Sequence, residues 1–236
     1  MLDNHAKIAL RFSGGKDSLA CLELLRPIKD RVTVIWVNTG ATYEGFPEYV
    51  RECVKDWNFV EVQSDQPSFI KDYIPSDLCP TKDLPMGRDA LPAEGPMIIP
   101  WFGCCNHNLW QPLHKATLET GATCIVTGQK ACDIRKDRVK NGEVVNGIEY
   151  QMPLHDMTDE DVYGYLREKN VAIPSFYERM ETSPDCWDCT AFLDERKQEL
   201  ATMRDNDPDK WAVVSGRIQT ILTACDKPLR DMRELM

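Results

Sequence analysis

The 236-residue chain holds no apolar run near the ~18–20 residues that a membrane-spanning helix needs. Met1 to Lys7 is polar and carries no apolar signal-peptide core. Both absences predict a cytoplasmic protein with no membrane partner. A surplus of positive charge is also missing, since the formal net charge is −10. A chain that acidic excludes an autonomous grip on a nucleic-acid backbone, so a nucleic acid would be reached through a partner or a local patch. There is no internal repeat and no low-complexity tract. With 42% hydrophobic and 28% charged residues, disorder is not expected either.

What the chain does have is cysteine, ten in all. A secreted disulfide framework fits badly, because the chain is long and has α/β patterning. Metal or redox use is the better reading where the spacings agree.

Strand and helix patterns alternate from the start. Lys7–Phe12 is a short apolar run, and Leu19, Leu22, Leu24 and Leu25 then recur at helical spacing up to Pro27. Val32–Val37 reads as a strand buried on both faces, Phe46–Trp57 as a helix and Phe59–Val62 as a strand. The pattern predicts an α/β fold with a doubly wound, mostly parallel sheet. Pro75–Pro100 holds six prolines and little periodicity, so a long functional loop is expected there. Asn108–Thr120 reads as a helix and Cys124–Thr127 as a buried strand. Asn141-Gly142 and Asn146-Gly147 predict turns of a β-ribbon over Val139–Met152. Thr158–Lys169 reads as a helix with Thr158 and Asp161 spaced as a capping box. Ala191–Arg204 and Pro208–Cys225 read as two more helices. The division expected is 1–192 for the main domain and 193–236 for a small helical C-terminal extension.

The segment Ser13-Gly14-Gly15-Lys16-Asp17-Ser18 lies between the first strand and the first helix. Paired glycines let the backbone turn tightly and approach a ligand. The following helix aims N–H groups and the positive end of its dipole at the turn. Ser13 and Ser18 add hydroxyl donors, Lys16 a point charge, and Asp17 a group to hold Mg²⁺ or orient the loop. These features call for a diphosphate or triphosphate. The spacing is too short for the Gly-x-x-x-x-Gly-Lys-Ser/Thr loop. A basic run, Lys130, Arg135, Lys136, Arg138 and Lys140, reads either as a solvated arm or as a cluster receiving a polyanion.

Cys104-Cys105 and Cys186-x-x-Cys189 stand apart from Cys21, Cys53, Cys79, Cys124, Cys132 and Cys225, which read as buried hydrophobes. Four thiolates suit zinc or iron–sulfur chemistry, and spacing alone favours zinc.

Ser-Gly-Gly-Lys-Asp-Ser resembles the PP-loop of the N-type ATP pyrophosphatases. Gly103-Cys104-Cys105, Pro112-Leu113, Pro153-Leu154, Thr158 to Val162, Tyr165-Leu166, Pro174, Tyr177 and Cys186-Trp187-Asp188-Cys189-Thr190 resemble the APS/PAPS reductase family. So do Asn38-Thr39-Gly40 with Phe46-Pro47-Glu48, with Asn in place of the family's Asp, and Gly128-Gln129-Lys130, with Lys in place of its Arg. The likeness runs from about Lys7 to Phe192. It implies a nucleotide site including Asn38, Thr39, Gly40 and Gly128, and catalytic roles for Lys16, Asp17, Lys130, Arg135 and Arg138. It also implies a 4Fe–4S cluster on Cys104, Cys105, Cys186 and Cys189. The implied ligands are ATP, APS or PAPS with Mg²⁺.

Two departures bear on the reaction. The assimilatory reductases attack sulfur with a C-terminal Glu-Cys-Gly-Leu-His cysteine, whereas this chain has Ala224-Cys225-Asp226 there. The reductases also carry a degraded phosphate loop, whereas this one is complete. Both favour an ATP-cleaving relative that adenylates an acceptor oxygen, expels pyrophosphate and lets sulfur displace AMP. Relatives of that kind thiolate nucleic acids, including in DNA phosphorothioation. The alternatives are a true APS/PAPS reductase releasing sulfite, or a non-catalytic nucleotide-binding cluster protein. Expected partners are a sulfur donor or thiol reductant protein and a nucleic-acid acceptor reached through a partner. A homo-oligomeric state stays open.

Overall fold

The computed structural model describes residues 2–78, 96–133, 139–178, 180 and 186–236. Its contacts divide the chain into two compact units. The first comprises Met1–Asn38, Tyr43–Gln63 and Gln111–Glu178; the second comprises Thr39–Thr42, Ser64–Trp110 and Arg179–Met236.

The first unit is built on a sheet ordered β3-β2-β1-β6-β8-β7. Its strands are β1 (Ile8–Arg11), β2 (Val32–Asn38), β3 (Asn58–Gln63), β6 (Cys124–Val126), β7 (Val144–Val145) and β8 (Ile148–Gln151). All pairings are parallel except β7 with β8. The expected mostly parallel, doubly wound α/β sheet is therefore what forms. Alternation along the central strands explains its two covered faces. Ile8, Leu10, Val34 and Trp36 point into one apolar cluster with Leu19, Leu22 and Leu25 of α1 (Lys16–Leu25) and with Val162 and Leu166. Ala9, Ile35 and Ile125 point the other way, onto Ala116 of α5 (Gln111–Glu119).

The chain runs from β1 outward to β2 and β3, then returns to place β6 on the other side of β1. Strand order thus reverses between β1 and β6. In open α/β sheets, the crevice at the carboxyl ends of such a pair is where ligands go. The turn after β1 is residues 13–15, and the segment after β6 carries Gly128 and Lys130.

Local chemistry accounts for the remaining elements of this unit. α2 (Phe46–Cys53) ends earlier than expected, and Val54 closes it. The β7–β8 ribbon turns at Asn146 (φ 51°) and Gly147 (φ 80°), the left-handed pair that an Asn-Gly hairpin needs. α6 (Asp159–Glu168) begins with the expected capping box between Thr158 and Asp161.

In the second unit, two stretches of the proline-rich segment are strands rather than loop. β4 (Tyr73–Ser76) pairs in parallel with β5 (Met97–Pro100). Ile74 and Ile98 from this pair pack on Ile221 and Ala224. Those residues belong to α8 (Pro208–Glu234), which continues past the expected end at Cys225 and through Pro228. α3 (Gln66–Asp72), α4 (Trp101–Cys105) and α7 (Lys197–Asn206) complete this unit, and a π-helical turn spans Asn106–Trp110.

Candidate functional site

The turn after β1 is shaped by close packing. Gly14 has φ +79°, and a methyl there would meet Phe46 Cζ at 2.9 Å. The Tyr49 hydroxyl donates to the Gly14 carbonyl at 3.0 Å. Ser13 and Ser18 tie the turn together: Ser18 Oγ donates to the Gly15 carbonyl (2.9 Å), and Gly15 N–H donates to Ser13 Oγ (3.3 Å). At Gly128 an added Cβ would lie 2.9 Å from the Asp17 carbonyl carbon and 3.0 Å from its oxygen. Glycine at 128 is what lets the β6 segment touch the first turn of α1.

That approach assembles a network of two ammonium groups and three carboxylates. Asp17 uses both oxygens: Oδ2 is 2.9 Å from Lys16 Nζ, and Oδ1 is 2.7 Å from Lys130 Nζ. Asp159, at the start of α6, places Oδ1 3.1 Å from Lys16 Nζ and 3.2 Å from Lys130 Nζ. Asp133 holds Lys130 from the far side, accepting from its ammonium (3.1 Å) and its backbone N–H (2.8 Å). Burial opposes the charge on Lys130, but hydrogen bonds and charge from Asp17 and then Asp133 win and raise its pKa. For Asp159 burial pulls upward, yet Lys16 and then Lys130 hold its carboxyl below the usual range. The Lys16 ammonium also lies over the rings of Tyr163 (5.8 Å) and Tyr177 (5.6 Å). The Tyr177 hydroxyl accepts the backbone N–H of Lys16 at 2.9 Å, at the very start of α1. Burial, first of all, pushes the Tyr177 phenol pKa up.

The second unit gathers the four singled-out cysteines, none of them in a disulfide. Cys104 is buried. Asn108 donates to its carbonyl (3.1 Å) and approaches its sulfur (3.6 Å). Burial, and then the charge of nearby Cys189, push its thiol up to about 12. Cys186 Sγ stands 3.3 Å from Thr39 Oγ1, and Ala191 N–H points at Cys189 Sγ from 3.4 Å. Two thiol pairs, one a Cys-x-x-Cys, fit a thiolate-held iron–sulfur group in donor chemistry. Among the described residues, no three His, Cys, Asp or Glu side chains stand in metal-holding geometry.

Of the residues expected from the sequence, Ser13 to Ser18, Gly128 and Lys130 come together in the first unit. Thr39 and Gly40 belong to the second unit, beside Cys186. Asn38 belongs to the first and donates to Glu61 at 3.0 Å. Arg135 and Arg138 lie outside the described residues, as do Lys136 and Cys79. Asp133, Asp159, Tyr163 and Tyr177 were not expected at the loop. Asp159 and Tyr177 lay in segments that carry the family resemblance but were given no role at the loop, and Asp133, three residues past Lys130, was visible only as an acidic neighbour.

A comparison with protein families matches residues 7–192 to the phosphoadenosine phosphosulfate reductase domain. A comparison with curated proteins found no match. Among solved structures the chain is similar to phosphoadenylyl-sulfate (PAPS) reductase from Candida auris in its phosphate complex. That likeness has 14% identity and a TM-score of 0.49, over 73% of this chain and 77% of that one. It is also similar to NH3-dependent NAD synthetase from Campylobacter jejuni subsp. jejuni NCTC 11168 in complex with nitrate. Here identity is 14% and the TM-score 0.46, over 94% of this chain and 88% of that one.

Proposed function

The chain belongs to the phosphoadenosine phosphosulfate reductase domain family, and on that premise we propose that it is an ATP-cleaving sulfur-transfer enzyme. One observation carries the reading: two buried lysines, Lys16 and Lys130, converge at the N-terminus of α1 with an intact Ser-Gly-Gly-Lys-Asp-Ser turn beneath them. Two ammoniums at a helix N-terminus offer a polyphosphate two adjacent cationic contacts once it displaces the Asp159 carboxylate that bridges them.

In this reading MgATP is the substrate. An acceptor oxygen attacks the α-phosphorus, the α–β phosphoanhydride bond breaks, and pyrophosphate leaves. A sulfur nucleophile from a donor protein then attacks the acceptor atom that bears the adenylated oxygen, the bond from that atom to oxygen breaks, and AMP leaves carrying the oxygen. Lys16 and Lys130 neutralise the charge developing on pyrophosphate. Asp17 keeps both lysines aimed, and Gly14 and Gly128 let the turn pack against Phe46 and the β6 segment against the Asp17 backbone. Ser13 and Ser18 hold the turn. A 4Fe–4S cluster would be held by Cys104, Cys105, Cys186 and Cys189 and would supply thiolate-ligated iron for handling sulfur or electrons. A nucleic-acid acceptor would be brought by a partner, since the chain itself carries a net charge of −10.

Cys225 supports this reading over a reductase. It is half-buried and packs against the Ile74, Ile98 and Ile221 cluster rather than presenting a nucleophile. Labelled ATP and PAPS, each given with Mg²⁺ and a thiol or persulfide donor, test the choice. AMP and pyrophosphate from ATP, lost in Lys16→Ala, are expected. Sulfite from PAPS would instead make the protein a reductase. Tight nucleotide binding with neither product would make it a non-catalytic binder.

A further inference from the structure

The Cys186–Cys189 turn is held by two arginines that lie past residue 192, where the family match ends. Arg196 donates through Nη2 to the Trp187 carbonyl at 3.0 Å and through Nη1 to the Cys189 carbonyl. Arg217 of α8 donates through Nη1 to the Asp188 carbonyl and to Asp188 Oδ2, both at 2.9 Å. Three successive carbonyls of the Cys-x-x-Cys turn are thus taken by two guanidinium groups. The other carboxylate oxygen of Asp188 accepts from Gln66 Nε2 at 3.0 Å. The turn is anchored again by Trp187 N–H on the Ala41 carbonyl (3.0 Å) and by Thr190 Oγ1 on the Pro75 carbonyl (2.6 Å).

We infer that Arg196 and Arg217 are positioning residues that preset the Cys186–Cys189 turn to capture its metal centre. The helical C-terminal segment is then part of the cysteine site. This rests on the cysteine part of the reading above.

The charges favour a geometric role over an electrostatic one. Arg196 is neutralised by Glu199 (2.6 Å) and Arg217 by Asp188 (2.9 Å), so the pair adds little net field at the thiols. What it fixes is backbone. Buried carbonyls need donors, and a turn whose carbonyls are all bound cannot flip its peptide planes without breaking those bonds. The rigid fork of Arg196 spans two carbonyls two residues apart in a fixed planar geometry that a rotatable ammonium does not impose. Locking the turn leaves the two thiols fewer arrangements to lose when a metal binds. It is the same logic by which outer partners orient metal ligands.

The test uses full-length protein with Arg196→Lys and Arg217→Met. Iron per chain after anaerobic purification is one readout. The rate at which a trivalent arsenical bridges Cys186 and Cys189 in iron-free protein is the second. Pyrophosphate binding to the loop of the first unit is the control for folding. Both variants should bind pyrophosphate like wild type, retain iron ~10- to 100-fold less tightly, and react more slowly with the arsenical. Wild-type iron retention and arsenical rates in both variants would overturn the inference. If Arg217→Met loses pyrophosphate binding as well, Arg196→Lys decides alone, on the same two readouts. If wild-type protein takes no iron yet arsenical capture still depends on the arginines, the clamp stands and the cluster reading falls.

Discussion

Lys130 Nζ stands 2.7 Å from Oδ1 of Asp17, joining side chains 113 positions apart in the chain. The contact ties the segment after β6 to the first turn of α1, across the point where strand order reverses. Lys130→Met should therefore act on both stability and chemistry. It leaves Asp17 with Lys16 as its one ammonium partner among the described residues, a loss of ~1–3 kcal/mol once the partial exposure of Asp17 is discounted. It also removes one charge from the proposed pyrophosphate exit, which should lower AMP formation ~100- to 1000-fold. Lys130→Arg keeps the charge and should retain most of both. Thermal unfolding with a single-turnover ATP assay checks the pair, and a methionine variant with wild-type turnover would remove Lys130 from the site.

Asp159 bridges the same two lysines with one oxygen, the place a phosphate oxygen would claim. A bound polyphosphate must compete with it. Asp159→Asn should tighten pyrophosphate binding by up to about fivefold, the worth of one partly exposed ion pair. Its stability effect has a definite pH sense. The folded-state pKa of Asp159 is lowered, so its contribution is present above the unfolded carboxylate value of about 3.9. It is lost as pH falls through the folded value. The gap in melting temperature between wild type and Asp159→Asn should thus be open near neutral pH and close in acid. A gap that widens on acidification would show that the carboxylate does not pair with the lysines.

Much of this was legible in the sequence for a physical reason. The strands β1, β2 and β6 are short apolar runs because both faces are covered, and the Ser13 to Ser18 segment announces itself because close backbone approach demands glycine. Thr158 and Asp161 were readable because a capping box is a purely local device. The pairing of Asp133 and Asp159 with the lysines was not readable, although Asp159 lies in a segment that carries the family resemblance. Asp133 and Asp159 matter through tertiary placement opposite Lys130 and Lys16, and an acidic residue in a turn or at a helix start is ordinarily explained by local capping. β4 and β5 were hidden by Pro75 and Pro100, which a strand tolerates at a sheet edge or its ends but which read as loop. The reach of α8 to Glu234 was hidden by Pro228.

Gly128 gives a steric prediction. In Gly128→Ala the new methyl meets backbone atoms of Asp17 at 2.9–3.0 Å, and backbone cannot rotate away as a side-chain tip does. The first turn of α1 must shift, at ~1–3 kcal/mol for an overpacked site. Because that turn carries Lys16 and Asp17, pyrophosphate affinity should fall together with melting temperature. Isothermal titration beside thermal unfolding reads both, and a variant that loses stability alone would mean the turn does not position the anion.

Tyr177 offers the sharpest test of the loop as an anion site. Its hydroxyl accepts the Lys16 backbone N–H at 2.9 Å, one of the N–H groups at the start of α1 that lack a partner within the helix. A phosphate oxygen seated at the same helix end would need that donor. Tyr177→Phe keeps the ring under the Lys16 ammonium and deletes the competing acceptor. The variant should lose about 1 kcal/mol of stability, the worth of one hydrogen bond. It should also bind pyrophosphate more tightly, because the anion no longer displaces a bonded hydroxyl. Amide resonances of Lys16 followed by NMR during the titration would show the donor passing to phosphate in both proteins. Weaker binding in Tyr177→Phe, with the Lys16 amide unmoved, would instead place the hydroxyl among the groups that hold the nucleotide and the phosphate elsewhere on the turn.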